Sequence, residues 1–185
     1  MAHASLQKVT QLMEGAIEHL KREFTTLRTG RASVALLDHI TVDYYGTPTP
    51  LKQVANLSVP ESRLLHIQPW DPSIIKDIER ALTASELGVT PSNDGKLIRL
   101  PIPPLSEERR KELVKLCKKY GEETKIQIRG FRRDGNDELK HLEKSGEISE
   151  DELRRLEAEN QKLTDTYIHK VDDLLKKKEE EILEI

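Results

Sequence analysis

Apolar residues fall in two rhythms along the chain. Between Ser5 and Thr29 they recur as Leu6, Val9, Met13, Ala16, Leu20, Phe24 and Leu27. Steps of three and four keep them on one stripe and predict an amphipathic helix. Ser5 is placed to cap its start, and Gly30 to follow its end. From Arg31 to Pro104 the helical stripe gives way to alternation, and all nine prolines lie in this stretch. "HITVDYYG", "RLLHIQ" and "KLIRLPIP" read as strands, and "GTPTP" as a turn or extended stretch. "DPSIIKDIERALTASELG" reads as a helix, with Asp71 as its cap, Pro72 in its first turn and Gly88 at its end.

Beyond Pro104 the helical stripe returns. It carries Leu113, Leu116, Cys117, Tyr120, Thr124, Ile128, Phe131, Gly135, Leu139 and Leu142, with Ser106 as cap and Ser145-Gly146 as stop. The ten residues "IRGFRRDGND", Ile128 to Asp137, hold the turn dipeptides Asp-Gly and Gly-Asn. The stripe nevertheless stays in phase through them, which predicts one unbroken helix roughly 57 Å long at ~1.5 Å per residue. A last helix opens on the capping box Ser149-Glu-Asp-Glu152 and carries Leu153, Leu156, Asn160, Leu163, Tyr167, Val171, Leu174 and Ile182.

The pattern gives an α+β fold class: a coiled-coil-like three-helix bundle from residues 1–30 and 105–185, with a small β/α/β sandwich domain, 31–104, inserted between its first and second helices. The chain leaves the bundle at Gly30-Arg31 and returns at Pro103-Pro104-Leu105. Two such connectors form a natural hinge. A third of the residues are charged and 4% are aromatic, the profile of long exposed helices.

Charge adds a surface to this frame. The formal net charge of −3 hides a net +7 between Arg109 and Arg133 and a net −6 from Glu143 onward. On a helical wheel of the second long helix the apolar positions span one arc. Lys111, Lys115, Lys118, Lys125, Arg129, Arg132 and Arg133 span the opposite one, with Glu122 the one acid inside it. The expectation is a solvent-facing basic arc whose arginine-rich end grips phosphate through planar forks. Pairing of these charges with neighbouring helices is the competing reading. Nothing in the sequence supplies base stacking or groove readout, so backbone and shape of structured RNA are the expected target.

Other chemistry is sparse. The six histidines, 3, 19, 39, 66, 141 and 169, form no metal motif, and no glycine-rich phosphate loop is present. His66 reads as a packed strand residue. Cys117 is the one cysteine and reads as a small core residue. No apolar run approaches the ~20 residues of a membrane span. A cytoplasmic, non-enzymatic monomer without cofactor is expected. A helical assembly module that docks partner helices is the alternative from another class.

Several stretches carry a resemblance. "LRTGRASVALLDHITVDYYGTPTPLKQVA", "ASELGVTPSNDG", "IPPLSEERRKELVK" and "RGFRRDGND" are similar to bacterial ribosome recycling factors, almost end to end. The resemblance implies an L-shaped molecule with a flexible hinge. It implies binding to the post-termination ribosome, with the bundle against large-subunit ribosomal RNA. It also implies splitting of the subunits and release from mRNA, together with elongation factor G and GTP, without chemistry by the factor itself. It assigns RNA contact to Arg132 first, with Arg129 and Arg133 beside it and Arg28 and Arg31 from "LRTGR"; Lys125 and Lys118 of the basic arc extend the expected surface. The sequence departs from the usual pattern at two places. Position 130, commonly Asn, and position 135, commonly Ala, are both Gly here.

Overall fold

A computed structural model describes residues 3–184. The chain divides into two compact units, one from the residues up to Arg28 together with Glu107–Glu184, the other Thr29–Ser106.

The first unit is three helices: α1 (Ala4–Thr26), α3 (Glu107–Lys144) and α4 (Glu150–Leu183). Each forms because its apolar residues line a stripe that finds cover only on the other two. Met13, Leu20, Leu113, Cys117, Ile128, Leu139 and Val171 are wholly or almost wholly removed from solvent. Helix α3 runs without interruption through Ile128–Asp137, as the stripe predicts. It stops in a Schellman-type turn: Gly146 takes φ +80°, its N–H donates to Glu143 O and that of Glu147 to Leu142 O. Ser149 Oγ then accepts from the N–H of Glu152 and opens α4. Helices α3 and α4 are therefore an antiparallel hairpin, closed at its turn by a cluster of Leu139, Ile148, Leu156 and Leu6.

Two expectations for α1 are corrected. Its cap is His3, whose Nδ1 accepts from the N–H of Ser5. Ser5 lies inside the first turn, 5% exposed, with its hydroxyl donating to Glu138. A ring nitrogen two residues upstream takes the role expected of a serine oxygen. The helix also ends at Thr26, before Gly30. Leu27 already has extended backbone, and the φ of +77° at Gly30 shapes the connector instead.

The second unit holds a hairpin of β1 (Thr41–Tyr44) and β2 (Thr47–Pro50), and an antiparallel sheet ordered β3-β4-β6-β5. Its strands are β3 (Ala55–Glu61), β4 (Leu64–Pro69), β5 (Ser92–Asn93) and β6 (Ile98–Pro101). The "GTPTP" segment is strand β2; its prolines are tolerated because the two-stranded ribbon has open edges. Strand β3 has no counterpart among the expected strands, since "ANLSVPE" contains a proline and buries little beyond Ala55. Helix α2 (Ile75–Ala84) follows a 3-10 turn at Pro72–Ile74, and Asp71 caps that turn by accepting from the N–H of Ser73. Gly88, with φ +64°, lies beyond the helix end at Ala84. The helix places Ile75, Ile78 and Leu82 against Val42, Leu51, Leu65, Ile67, Ile98 and Leu100.

The connectors have a common anchor. The N–H of Ala32 donates to Ser62 O at 2.7 Å and that of Ile102 to Arg63 O at 2.8 Å. Both are thus tied to the turn between β3 and β4. A Cβ on Gly30 would lie 3.2 Å from Leu105 Cγ, so the two chain segments run side by side. Outside these ties, 27–31 and 103–106 have no helix or strand.

Candidate nucleic-acid interface

The basic residues of α3 are sorted by what α4 places beside them. Lys118, Lys125 and Arg132 are seven apart in sequence, as are Asp165, Asp172 and Glu179 on α4. In an antiparallel pair the two rows meet. Lys118 Nζ lies 3.8 Å from Glu179, and Lys125 Nζ 2.6 Å from Asp172 and 3.4 Å from Glu122. Arg132 Nη1 donates to Gln161 Oε1 at 3.0 Å, and Gln161 Nε2 donates to Asp165 at 2.9 Å.

This corrects the reading of the whole arc as solvent-facing. Lys125 has only 15% of its side chain exposed, and its hydrogen bond to Asp172 holds its ammonium above the ordinary lysine range. Lys118 stays exposed but is paired. A helical wheel measures angles about one axis and takes no account of how far a lysine stem reaches along a neighbouring helix.

The outward part is smaller and richer in arginine. Arg129 and Arg133 are exposed, one turn apart, and make no ion pair among the described residues. Lys115 is exposed in the same way, but two turns further along the helix Glu122 puts an acid on the arc. Gly130 stands beside the two arginines, and a Cβ there would meet nothing within 4 Å. Arg132, half-buried, is held from both ends. Asn160 Nδ2 donates to its carbonyl at 3.0 Å and to Asn136 Oδ1 at 2.7 Å, while Gln161 takes its guanidinium. Asn160 is 0% exposed. Its signal in the sequence is a polar residue on an otherwise apolar stripe; Gln161 gives none.

Close approach of the helices at this level needs Gly135. A Cβ there would come within 2.6 Å of Val9 Cγ2 and 3.2 Å of Asn160 Nδ2. The remaining expected contacts, Arg28 and Arg31, are exposed and sit at and just beyond the division between the units. Cys117 is buried, and desolvation pushes its thiol up. His66 lies mid-strand in β4, half-buried. Among the described residues no helix is long and apolar enough to cross a membrane, and no group of three or more metal-binding side chains converges.

These features define a class: a long three-helix bundle that carries an arginine-bearing outer face and an inserted antiparallel α/β unit. The family model for ribosome recycling factor matches residues 20–183. Ribosome-recycling factors of Geobacillus kaustophilus and Brevibacillus brevis are 56% and 57% identical over 185 residues, covering all of both chains. A solution structure of a ribosome recycling factor superposes with a TM-score of 0.68 at 40% identity over both full chains. A second structure, at 0.61 and 46% over 97% of each chain, is the T. thermophilus factor described with E. coli elongation factor G bound to the E. coli post-termination complex. The chain belongs to the ribosome recycling factor family.

Proposed function

We propose that this protein binds the post-termination ribosome and, with elongation factor G and GTP, separates the subunits and promotes release from mRNA. The observation that carries this is the likeness, over 97% of both chains, to a factor described on the post-termination complex with elongation factor G. The outer face of α3 is the surface proposed to meet large-subunit ribosomal RNA. Arg129 and Arg133 offer open forks to phosphate. Arg132 adds a third fork whose direction Gln161 and Asn160 set. Arg28, the last residue of the helical unit's first segment, and Arg31, in the connector, are proposed as further RNA contacts. Lys118 and Lys125 serve it indirectly, by fixing α4 alongside. A guanidinium suits this task because its fork matches two phosphate oxygens at once.

The connectors at Gly30-Arg31 and Pro103-Leu105 are proposed as the hinge. The ties at Ala32 and Ile102 leave the pivot to the short segments between them and the helices, so that a push from elongation factor G turns one unit relative to the other.

The test is a subunit-splitting assay with and without elongation factor G and GTP, paired with ribosome co-sedimentation across a salt series. Splitting only with both additions, and binding that falls steeply with salt, are expected. Salt-independent binding without splitting favours a helix-docking module instead. Arg132→Ala is expected to cut ribosome affinity by about tenfold or more, while thermal unfolding shifts by no more than a few degrees. Normal binding by that variant overturns the assignment of the surface.

A further inference from the structure

The α/β unit contains three aromatic residues, Tyr44, Tyr45 and Trp70. None is in its core, which is aliphatic throughout. They are 36%, 74% and 61% exposed, and they gather at one place. Tyr44 and Trp70 line a shallow cavity of about 340 Å³ together with Thr49, Gln53, Val54 and Asp71. Tyr45 meets Tyr44 edge to face, with centroids 4.8 Å apart and planes at 78°. Aromatic rings are the side chains that gain most from burial, so an aliphatic core with all its rings outside marks a contact surface.

The backbone supports this. Tyr45 has φ +50°, the one positive value among described residues other than glycine. With Gly46 at φ +84° it forms the two-residue turn of the β1–β2 hairpin, a position that asparagine fits and a bulky ring does not. The strain is held in place by the phenol, which donates to Asp71 Oδ2 at 2.8 Å. Strained residues that their surroundings hold in place cluster at binding sites.

Charge identifies the occupant. None of the six residues lining the cavity is a cation. The one acid among them is Asp71, which keeps free lone pairs after accepting from Tyr45 and Ser73; Asp43, next to Tyr44 in sequence, lies outside the lining and accepts from the N–H of Gly46 at 2.7 Å. The nearby Lys52 faces Asp38 at 3.9 Å. Exposed rings beside a carboxylate attract a guanidinium or ammonium, and the carboxylate repels phosphate. We propose that this face captures an arginine-bearing basic segment of a partner protein, with the cation over Trp70 and Tyr44 and its charge answered by Asp71.

Trp70 is the one tryptophan, so its fluorescence reports this cavity and is silent to binding elsewhere. The full-length protein is titrated at low salt with tetra-arginine, tetraglutamate and an oligouridylate. A saturable Trp70 response to tetra-arginine alone is expected. Tyr45→Asn suits the turn and so keeps the fold, and Asp71→Asn keeps the oxygen that caps at Ser73 and sets an NH2 against the phenol oxygen, which can accept from it. Each is expected to weaken the response about tenfold. No saturable response, an equal response to tetraglutamate or oligouridylate, or an unchanged response in both variants overturns the proposal; a response to oligouridylate alone means base stacking instead.

Discussion

At the scale of single residues, two glycines in one helix behave oppositely. Gly130 faces open space and Gly135 faces Val9 and Asn160. Replacing a mid-helix glycine by alanine gains up to about 1 kcal/mol in helix propensity. Gly130→Ala is expected to keep that gain. At Gly135 the new methyl must displace a β-branched side chain with little rotamer freedom. Overpacking of this kind costs about 1–3 kcal/mol, so Gly135→Ala is expected to lower stability by about 1 kcal/mol net. In a Val9→Ala background the loss should vanish. Denaturant unfolding of the single and double variants measures both signs. The partner across the interface, Val9, decides whether alanine fits at 135.

Tyr167 gives a prediction in pH. It is 4% exposed and its hydroxyl donates to Glu14 at 3.1 Å. Burial first, and then that carboxylate, push its phenol up to about 12. The folded protein thus holds this proton above the pH at which an unfolded tyrosine, near 10, lets it go. The stabilisation is complete below about pH 10 and is lost as pH rises from there toward 12. Wild-type protein is expected to lose stability more steeply across that window than Tyr167→Phe. Parallel curves for the two would contradict it.

At the scale of elements, the seam between α3 and α4 is an antiparallel match of two rows with a seven-residue repeat. Its members differ in worth. Lys118–Glu179 is stretched to 3.8 Å and its lysine is exposed, and such pairs contribute at most about 1 kcal/mol. Lys125–Asp172 is short and its lysine is largely covered. Asp172→Ala is expected to cost about 1–2 kcal/mol, against little for Glu179→Ala. Lys125→Met should change ribosome affinity far less than Arg129→Ala, as co-sedimentation at fixed salt would register.

What can be read in the sequence follows from the same geometry. Long stripes identify α1, α3 and α4, and alternation identifies β1, β4 and β6, because both report a residue's relation to its own element. The partition of the basic arc depends on a second helix. Lys125 falls on the basic arc of the wheel, where only the position of α4 decides between water and an ion pair. Gly30 misplaces the end of α1 because a residue that tolerates positive φ fits a connector as well as a helix stop. Strand β3 escapes because its residues pair by backbone and bury few side chains.

At the scale of the whole molecule, two units are joined by two short connectors. Gly30, in the proposed hinge, is the residue most open to test. Its φ of +77° strains any side chain, and a methyl there would press on Leu105. Gly30→Ala is expected to destabilise by about 1 kcal/mol and, on the proposed mechanism, to slow subunit splitting more than it weakens ribosome binding. Equal loss of both activities would remove the hinge role.

The insertion of one unit into the other also sets an order of assembly. Every strand of the sheet, with α2, lies in one unbroken stretch of chain. Helix α1 is synthesised first, yet its covering partners begin only at Glu107 of α3, beyond the whole second unit. Bringing the two together closes a long loop, whose entropic cost rises only logarithmically with length but slows the search. While the protein is being made, the stripe from Leu6 to Phe24 therefore waits uncovered until α3 and α4 follow. A helix made before both of its partners is thus among the last to find its place.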